Sequence, residues 1–276
     1  MRFIKMHGLG NDFVMVEDSE LPESRDLSSL AVKVCDRKFG IGADGLMVIG
    51  PDPDFDIYMR IFNSDGSEAE MCGNGIRCIA KYAWEQGLVR KETIAVKTLG
   101  GPRYPELIFK DGQVDKIRVD MGEPVLIPQD IPVVSSLNPV IGEKIAVDGR
   151  GFTFTAVSMG NPHAVVFVDS LEHIQISNWG PLIEVHNIFP RKTNVEFAEI
   201  LNRGEIKMRV WERGAGETLA CGTGTCATLV AAVLNDKTDR QAMVHLKGGD
   251  LFIEWSEANN RVYMTGPATE VFRGEF

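Results

Sequence analysis

Glu212-Arg213-Gly214-Ala215-Gly216-Glu217-Thr218-Leu219-Ala220-Cys221-Gly222-Thr223-Gly224-Thr225-Cys226 runs from a charged pair through small residues to a cysteine, and the alanine-rich apolar segment Ala227 to Leu234 follows. Small residues ahead of a helix-forming run predict a tight turn that opens a helix. The first amides of a helix have no internal partners and point outward, so they form a small anion site. A thiol there stands at the positive end of the helix dipole, which lowers its pKa and favours the thiolate. The stretch reads as an activated cysteine, Cys221, beside a cradle sized for a carboxylate.

The form occurs twice. Met71-Cys72-Gly73-Asn74-Gly75-Ile76-Arg77-Cys78 is again Cys-Gly-x-Gly opening a helical run. The match extends upstream, where Gly10-Asn11-Asp12-Phe13-Val14-Met15-Val16 parallels Gly160-Asn161-Pro162-His163-Ala164-Val165-Val166. The Gly-Asn pairs lie 150 residues apart and the two cysteines 149. Asn63 and Asn194 fall between the two elements of each half. This is the pattern of an internal duplication. It predicts two similar lobes, each offering one cysteine at a helix N-terminus, and two thiols flanking one cavity if the lobes face each other.

The 276 residues suit about two domains. A hydrophobic content of 44% with 25% charged residues fits a soluble globular protein. The net charge of −10 argues against nucleic acid or an anionic membrane surface as partner. No stretch approaches the roughly 18 consecutive apolar residues of a membrane span. The opening Met1 to Gly8 lacks a secretory apolar stretch and reads as a strand. Five cysteines, an odd number, argue against a secreted disulfide framework and for a cytoplasmic location.

Along the chain, residues 1–6 and 12–17 read as strands joined by a turn from Gly8 to Asn11. Asp26 to Arg37 reads as a helix capped by Asp26 and ended by Gly40, with Leu27, Leu30, Ala31 and Val34 on one face. Cys35, in that helix, reads as a small buried apolar residue. Gly40-Ile41-Gly42-Ala43-Asp44-Gly45 suggests a nucleotide loop, but it lacks the Lys-Ser/Thr of a P-loop and precedes a strand, Leu46 to Ile49. Phe55 to Phe62 is the next strand and Asn63 to Ser67 a turn. In the first cysteine helix Ile76, Ile79, Ala80 and Ala83 form the buried stripe, Gly87 is the stop, and Cys78 is structural. Residues 92–120 read as strands broken by Pro105 and Asp111-Gly112. Met121 to Gly142 carries Pro124, Pro128, Pro132 and Pro139, so the crossing between lobes is expected there. The second lobe reads as strands around 143–158, a turn from Ser158 to His163, a strand from Val165 to Val168 and a partly helical segment from Leu171 to Val185. Strands follow at Thr193 to Ile200 and Glu205 to Trp211, and then, beyond the cysteine helix, at 241–247, 250–255 and 261–265. Pro267 to Phe276 reads as a short tail. The expected lobes are residues 1–120 with Cys72, which the tail 266–276 is free to join, and residues 121–265 with Cys221.

Two cysteines of this kind allow three chemistries. Zinc is disfavoured, since each pair (Cys72 with Cys78, Cys221 with Cys226) is spaced wider than a zinc knuckle and runs into a helix. A single covalent nucleophile leaves one of the two elements unexplained. An acid/base pair explains both, because inverting a stereocentre needs one group to remove a proton from a carbon and another to return it on the opposite face. Backbone amides of Gly73, Asn74, Gly222 and Thr223 would then hold the substrate carboxylate, and their dipoles would stabilise the developing charge. His163 and Glu212 are placed to tune the thiols, and Arg213 to bind a carboxylate through its fork geometry. Asn11, Asn63, Asn161 and Asn194 recur at matched places, beyond what simple turn residues require. No cofactor motif is evident, and no metal site is expected.

Together the motifs Gly8 to Phe13, Phe62 to Ser67, Met71 to Gly75, Gly160 to His163 and Trp211 to Gly224 resemble the diaminopimelate epimerases in order and spacing. The resemblance implies an α/β (α+β) fold of two pseudo-symmetric lobes, each a β-sheet wrapped around a central helix. It implies a cofactor-independent interconversion of LL- and meso-diaminopimelate in lysine and peptidoglycan precursor synthesis, with a small-molecule substrate as partner and a homodimer left open. Carried over, Cys72 and Cys221 are the acid/base pair, and Gly73-Asn74 and Gly222-Thr223 hold the reacting carboxylate. Asn11, Asn63, Asn161, Asn194, Glu212 and Arg213 fix the rest of the substrate, and His163 and Glu212 set thiol protonation. Some members carry Gln where this chain has Gly45, so that side-chain contact is absent here. The alternatives are a proline or hydroxyproline racemase, which resembles Met-Cys-Gly-His-Gly where this chain has Asn74, and a non-catalytic amino-acid-binding relative, against which both intact cysteines argue.

Overall fold

The computed structural model describes residues 1–22 and 26–276. The chain divides into two compact units, Met1–Asp120 with Thr265–Phe276, and Met121–Met264.

In the first unit the elements run β1 (Arg2–Gly8), β2 (Asn11–Glu17), α1 (Leu27–Cys35), β3 (Gly45–Gly50), β4 (Ile57–Asn63), β5 (Glu68–Ala69), α2 (Gly73–Glu85), β6 (Val96–Lys97), β7 (Glu106–Lys110) and β8 (Gln113–Gly122). Leu9 and Gly10 both have positive φ, 57° and 86°, which is the demand of a two-residue hairpin turn. They close the β1–β2 pair at Gly8 and Asn11. Asp111 and Gly112 make a similar turn between β7 and β8, with φ of 51° and 77°. The segment beginning at Thr269 is a full strand (β18, Thr269–Glu275) rather than a short tail, antiparallel to β1. The sheet order is β18-β1-β2-β3-β4-β5, with β6 on β4.

In the second unit the elements run β9 (Glu143–Val147), β10 (Arg150–Ser158), β11 (Pro162–Phe167), α3 (Ile176–Glu184), β12 (Asn194–Asn202), β13 (Glu205–Glu212), β14 (Gly216–Thr218), α4 (Gly222–Leu234), β15 (Gln241–Leu246), β16 (Gly249–Trp255) and β17 (Val262–Gly266). The strand order is β17-β16-β15-β13-β12-β11-β10-β9, with β14 on β13.

The two units repeat one set of pairings. β1–β2 and β10–β11 are antiparallel, and β2–β3 and β11–β12 parallel. β3–β4 and β12–β13 are antiparallel, as are β4–β5 and β13–β14. β4–β6 and β13–β15 are parallel. Each unit then lays one helix against its sheet. α2 packs on β1, β2 and β7, and α4 on β10, β11, β12, β13, β15 and β16. α4 is buried from Thr225 to Ala232 on every face, as an apolar helix without a polar stripe must be. α2 is amphipathic, and its stripe Ile76, Ile79, Ala80 and Ala83 is fully buried.

Two local readings change. α1 ends at Cys35, well before Gly40, because the loop itself takes up its last carbonyls: the amides of Ile41 and Gly42 donate to Val34 O, and that of Ala43 to Cys35 O. Asp26 does cap the helix, accepting from Ser29 N. His163 lies inside β11, not in a turn. Pro162 is tolerated as the first residue of that strand, where its missing N–H leaves no ladder bond unmade. Cys35 and Cys78 are buried, and burial pushes their thiols up to about 11 and about 12. None of the helices is long and apolar enough to cross a membrane, among the described residues.

The first unit also contains a charge cluster. Asp12 pairs with buried Lys5 at 2.8 Å and with Arg37 at 2.8 Å, and Arg37 bridges to Asp44 at 2.7 Å. Burial alone would raise the pKa of Asp12, but the Arg37 and Lys5 hydrogen bonds outweigh it and hold the carboxyl down to about 2. A depressed folded pKa stabilises above the unfolded value and loses that contribution as pH falls through the folded one. The cluster should therefore contribute about 2 kcal/mol at neutral pH that disappears between pH ~4 and pH ~2. Thermal melting of the native chain should fall over that window, and Asp12→Asn should start lower and lose less of its melting temperature there. Parallel melting curves for the two proteins across the window would remove Asp12 from this role.

Candidate active site

Each unit places a cysteine at the N-cap of its buried helix, and each half is built from its own strands. In the first unit Cys72 caps α2 in an extended conformation, and the first helical bond runs from Ile76 N to Cys72 O at 2.9 Å. The amides of Gly73 and Asn74 therefore belong to the turn that has no intrahelical acceptor. Cys72 Sγ lies 3.6 Å from Asn11 Oδ1, which also accepts from Asn74 Nδ2 at 3.2 Å. Asn11 Nδ2 donates to Asp44 Oδ2 at 2.8 Å, and Asp44 also accepts from Asp12 N and from Arg37. The ion cluster of the fold is thus what fixes Asn11 beside the thiol. On the other side, fully buried Arg77 donates to Asn74 Oδ1 at 3.0 Å, to Gly73 O and to Pro267 O. Asn63 sits at the end of β4, paired in register with Gly45, and its side chain donates to Ser67 Oγ at 2.9 Å. A side chain at Gly45 would meet Phe62 O at 2.8 Å, so this backbone leaves no room for one.

In the second unit Cys221 caps α4 and is 5% exposed. Its Sγ accepts from Gly224 N at 3.4 Å and lies 3.5 Å from Thr223 Oγ1. Glu212, at the end of β13, accepts from Thr218 Oγ1. The next residue, Arg213, is exposed. Its amide donates to Asn194 Oδ1 at 2.9 Å and its Nη1 to Arg191 O at 3.1 Å, and it has no carboxylate partner among the described residues. Asn194 is buried, and its Nδ2 donates to Pro162 O at 2.8 Å, so it ties the start of β11 to Arg213. An amide has two donors and two lone pairs, so each end of Asn194 keeps one further bond to offer. Asn161, in the loop before β11, accepts from His163 Nε2 at 2.9 Å.

Two features depart from the sequence reading. The Cys221 thiol is not activated by its helix in this arrangement. Burial, and then the charges of Glu212 and Glu196, raise its pKa well above the ordinary value, and the hydrogen bonds from Thr223 and Gly224 do not offset them. His163 does not reach the thiol as a partner of its own; both ring nitrogens are engaged, Nδ1 with Glu196 Oε1 at 2.7 Å and Nε2 with Asn161. Glu196, Asp44 and Arg77 are residues the motifs did not single out. The available signal for Glu196 was a lone carboxyl inside the apolar run of Val195, Phe197 and Ala198, since unpaired charge is rarely buried. Among the described residues no group of three His, Cys, Asp or Glu is placed to hold a metal ion.

A family model described as diaminopimelate epimerase matches residues 3–127 and 155–271. A diaminopimelate epimerase of Pelotomaculum thermopropionicum is 57% identical over 100% of this chain and 99% of its own. One from Moorella thermoacetica is 54% identical over 100% and 99%. Among solved structures, a phenazine biosynthesis protein of the PhzF family from Bacillus anthracis superposes with a TM-score of 0.73 at 16% identity, over 100% of this chain and 98% of the other. A hydroxyproline epimerase from Agrobacterium vitis gives 0.70 at 15%, over 99% and 91%. These two likenesses show a shared fold. The match of both cysteine-headed halves to one family model, together with relatives more than half identical along the whole length, makes this chain a member of the diaminopimelate epimerase family.

Proposed function

We propose that this chain interconverts LL- and meso-diaminopimelate by removing the proton of one α-carbon and returning it on the opposite face. The observation that carries the reading is the duplicated cysteine N-cap, Cys72 on α2 and Cys221 on α4, within a chain that the relatives of the family match over its full length. Inverting a stereocentre needs an acid and a base of similar strength, and two cysteines in equivalent places of a duplicated fold supply them. The proton beside a carboxylate is very weakly acidic, so charge stabilisation must come with the base. We assign that to the helix-start amides of Gly73, Asn74, Gly222 and Thr223, whose dipoles favour the carboxylate and the charge that grows on it.

The distal end of the substrate is an amino acid in its own right. Arg213 suits its carboxylate, because its guanidinium has no carboxylate of its own among the described residues and its backbone is held by Asn194. Asn11, Asn63, Asn161, Asn194 and Glu212 complete the polar contacts in this reading. Of these, Asn11 is held by Asp44 and Asn74, and Asn194 by Pro162 and Arg213. The reaction proceeds without an added cofactor, and the location is the cytoplasm, where thiols stay reduced. A proline racemase is disfavoured by Arg213 and Glu212, since proline has no charged distal group to meet them.

Proton NMR of LL-diaminopimelate in deuterium oxide, with reduced protein and nothing else added, should show one α-proton signal disappear as meso product forms. Exchange of proline in its place would move the activity to the racemase branch. Cys72→Ala and Cys221→Ala should each lower epimerisation by at least about a thousandfold, since general acid/base groups carry effects of this order. Full activity in either variant would contradict the paired role. Arg213→Ala should raise KM for diaminopimelate about tenfold or more, consistent with loss of a charge-assisted contact. An unchanged KM would take Arg213 out of the site.

A further inference from the structure

Before Cys221 can serve as a base it must lose a proton, in surroundings where burial and two carboxylates oppose the loss. The atoms around it supply a place for that proton. Glu196 lies in the middle of β12 with no exposed surface. Its Oε1 is 2.7 Å from His163 Nδ1, and His163 Nε2 is 2.9 Å from Asn161 Oδ1. An amide oxygen can only accept, so Nε2 carries a hydrogen. Nδ1 then either carries a second one against an ionised Glu196, or accepts one from a protonated Glu196. In both cases one proton sits in the 2.7 Å contact and the pair is neutral overall.

The second oxygen of Glu196, Oε2, is buried and has no hydrogen-bond partner among the described residues. Leaving such an atom unpaired costs free energy, so its place is informative. A Cβ added to Gly224 would lie 2.5 Å from Glu196 Oε1, 3.3 Å from the Glu196 carboxyl carbon and 3.3 Å from Cys221 Sγ. The Glu196 carboxyl, through Oε1, and the Cys221 thiol both border the slot that the absent side chain leaves open.

We propose that Glu196 is a positioning residue that acts through Cys221 by taking up the proton the thiol must release. This rests on the reading of Cys221 as one of the two acid/base groups. In the step, the S–H bond of Cys221 breaks, an O–H bond forms on the Glu196 carboxylate, and the electron pair stays on sulfur. The Glu196–His163 pair, counting the hydrogen on Nε2, passes from two protons to three and from neutral to cationic, and the cation faces the thiolate it has created. After turnover the pair gives up its extra proton to solvent as Cys72 regains one. His163, which does not bond to the thiol directly, acts through Glu196, and Asn161 fixes its tautomer. The further ionisable group whose charge acts on both Cys221 and Glu196 is Glu212 of β13. Other strands packed on α4 carry charges engaged elsewhere: Arg150 of β10 stacks on Phe152 and Trp179, and His245 of β15 pairs with Asp250 of β16 at 2.8 Å. The remaining charged groups on these strands are Glu254 of β16, Arg209 of β13, paired with Glu217 at 2.8 Å, Glu199 of β12, which accepts from Leu171 N at 2.9 Å, Glu205 of β13, which accepts from Asn202 Nδ2 at 2.8 Å, and Lys207 of β13.

Glu196→Gln keeps the size of the side chain and a bond to His163 Nδ1 but accepts no proton. Its kcat should fall about a hundredfold near neutral pH. KM should stay within about twofold, and the acidic limb of the kcat profile should move up by about one pH unit or more, so that activity recovers as pH rises. Glu196→Asp, which keeps a carboxyl, should recover most of the rate; if the Gln variant does not fold, the Asp variant should show a smaller shift of the same limb. An unshifted limb, with kcat unchanged or lowered evenly at every pH, would overturn the proposal. Cys221→Ala separates the two readings: an active Cys221→Ala contradicts the role of Cys221 itself, whereas an inactive one beside an unshifted Glu196→Gln profile contradicts the role of Glu196 alone.

Discussion

A helix cannot satisfy its own first amides, and this one constraint organises both halves of the molecule. α2 and α4 are the buried helices of their units, so their starts must be resolved by whatever stands in front of them. In each unit that residue is a cysteine in extended conformation, Cys72 or Cys221, followed by glycine. The strands converge on the same point. β1 and β2 deliver Asn11 to Cys72, and β12 and β13 deliver Glu196 and Glu212 to Cys221. A helix start held this way is an anion cradle with a proton-handling group at its rim, and it suits removal of a proton next to a carboxylate.

The two halves share a topology but not an electrostatic setting. Asn11, which Cys72 Sγ faces at 3.6 Å, is held by an ion cluster of Lys5, Asp12, Arg37 and Asp44. Cys221 has two carboxylates and a buried histidine in its vicinity, and its thiol is pushed toward the protonated form. A duplicated scaffold thus carries two cysteines set among different neighbours.

What the residues disclose and what they hide follows from range. The turns at Leu9-Gly10 and Asp111-Gly112, the cap at Asp26 and the two cysteine N-caps are decided by a few adjacent residues, and all are legible in the chain. β5 and β14, with two and three residues, are too short to show a period. β18 exists because β1 offers it an edge, a pairing between opposite ends of the chain that no local pattern announces. The end of α1 was misplaced because Gly40 marks the loop that satisfies the last carbonyls, not the last turn. At the site, the sign of the Cys221 shift was missed for a related reason. The helix dipole is local and readable, whereas the opposing burial and the Glu196 carboxyl arrive from strands far away in sequence. Glu196 itself reads as one charged residue in a strand until its burial against His163 is seen.

The most direct test of a two-cysteine reaction is where deuterium first appears. LL-diaminopimelate incubated with the protein in deuterium oxide should, in the earliest turnovers, give meso product carrying deuterium at the inverted carbon while the recovered LL substrate stays unlabelled. Equal early labelling of substrate and product would mean that one group both removes and returns the proton, and would contradict the assignment of Cys72 and Cys221 as a pair.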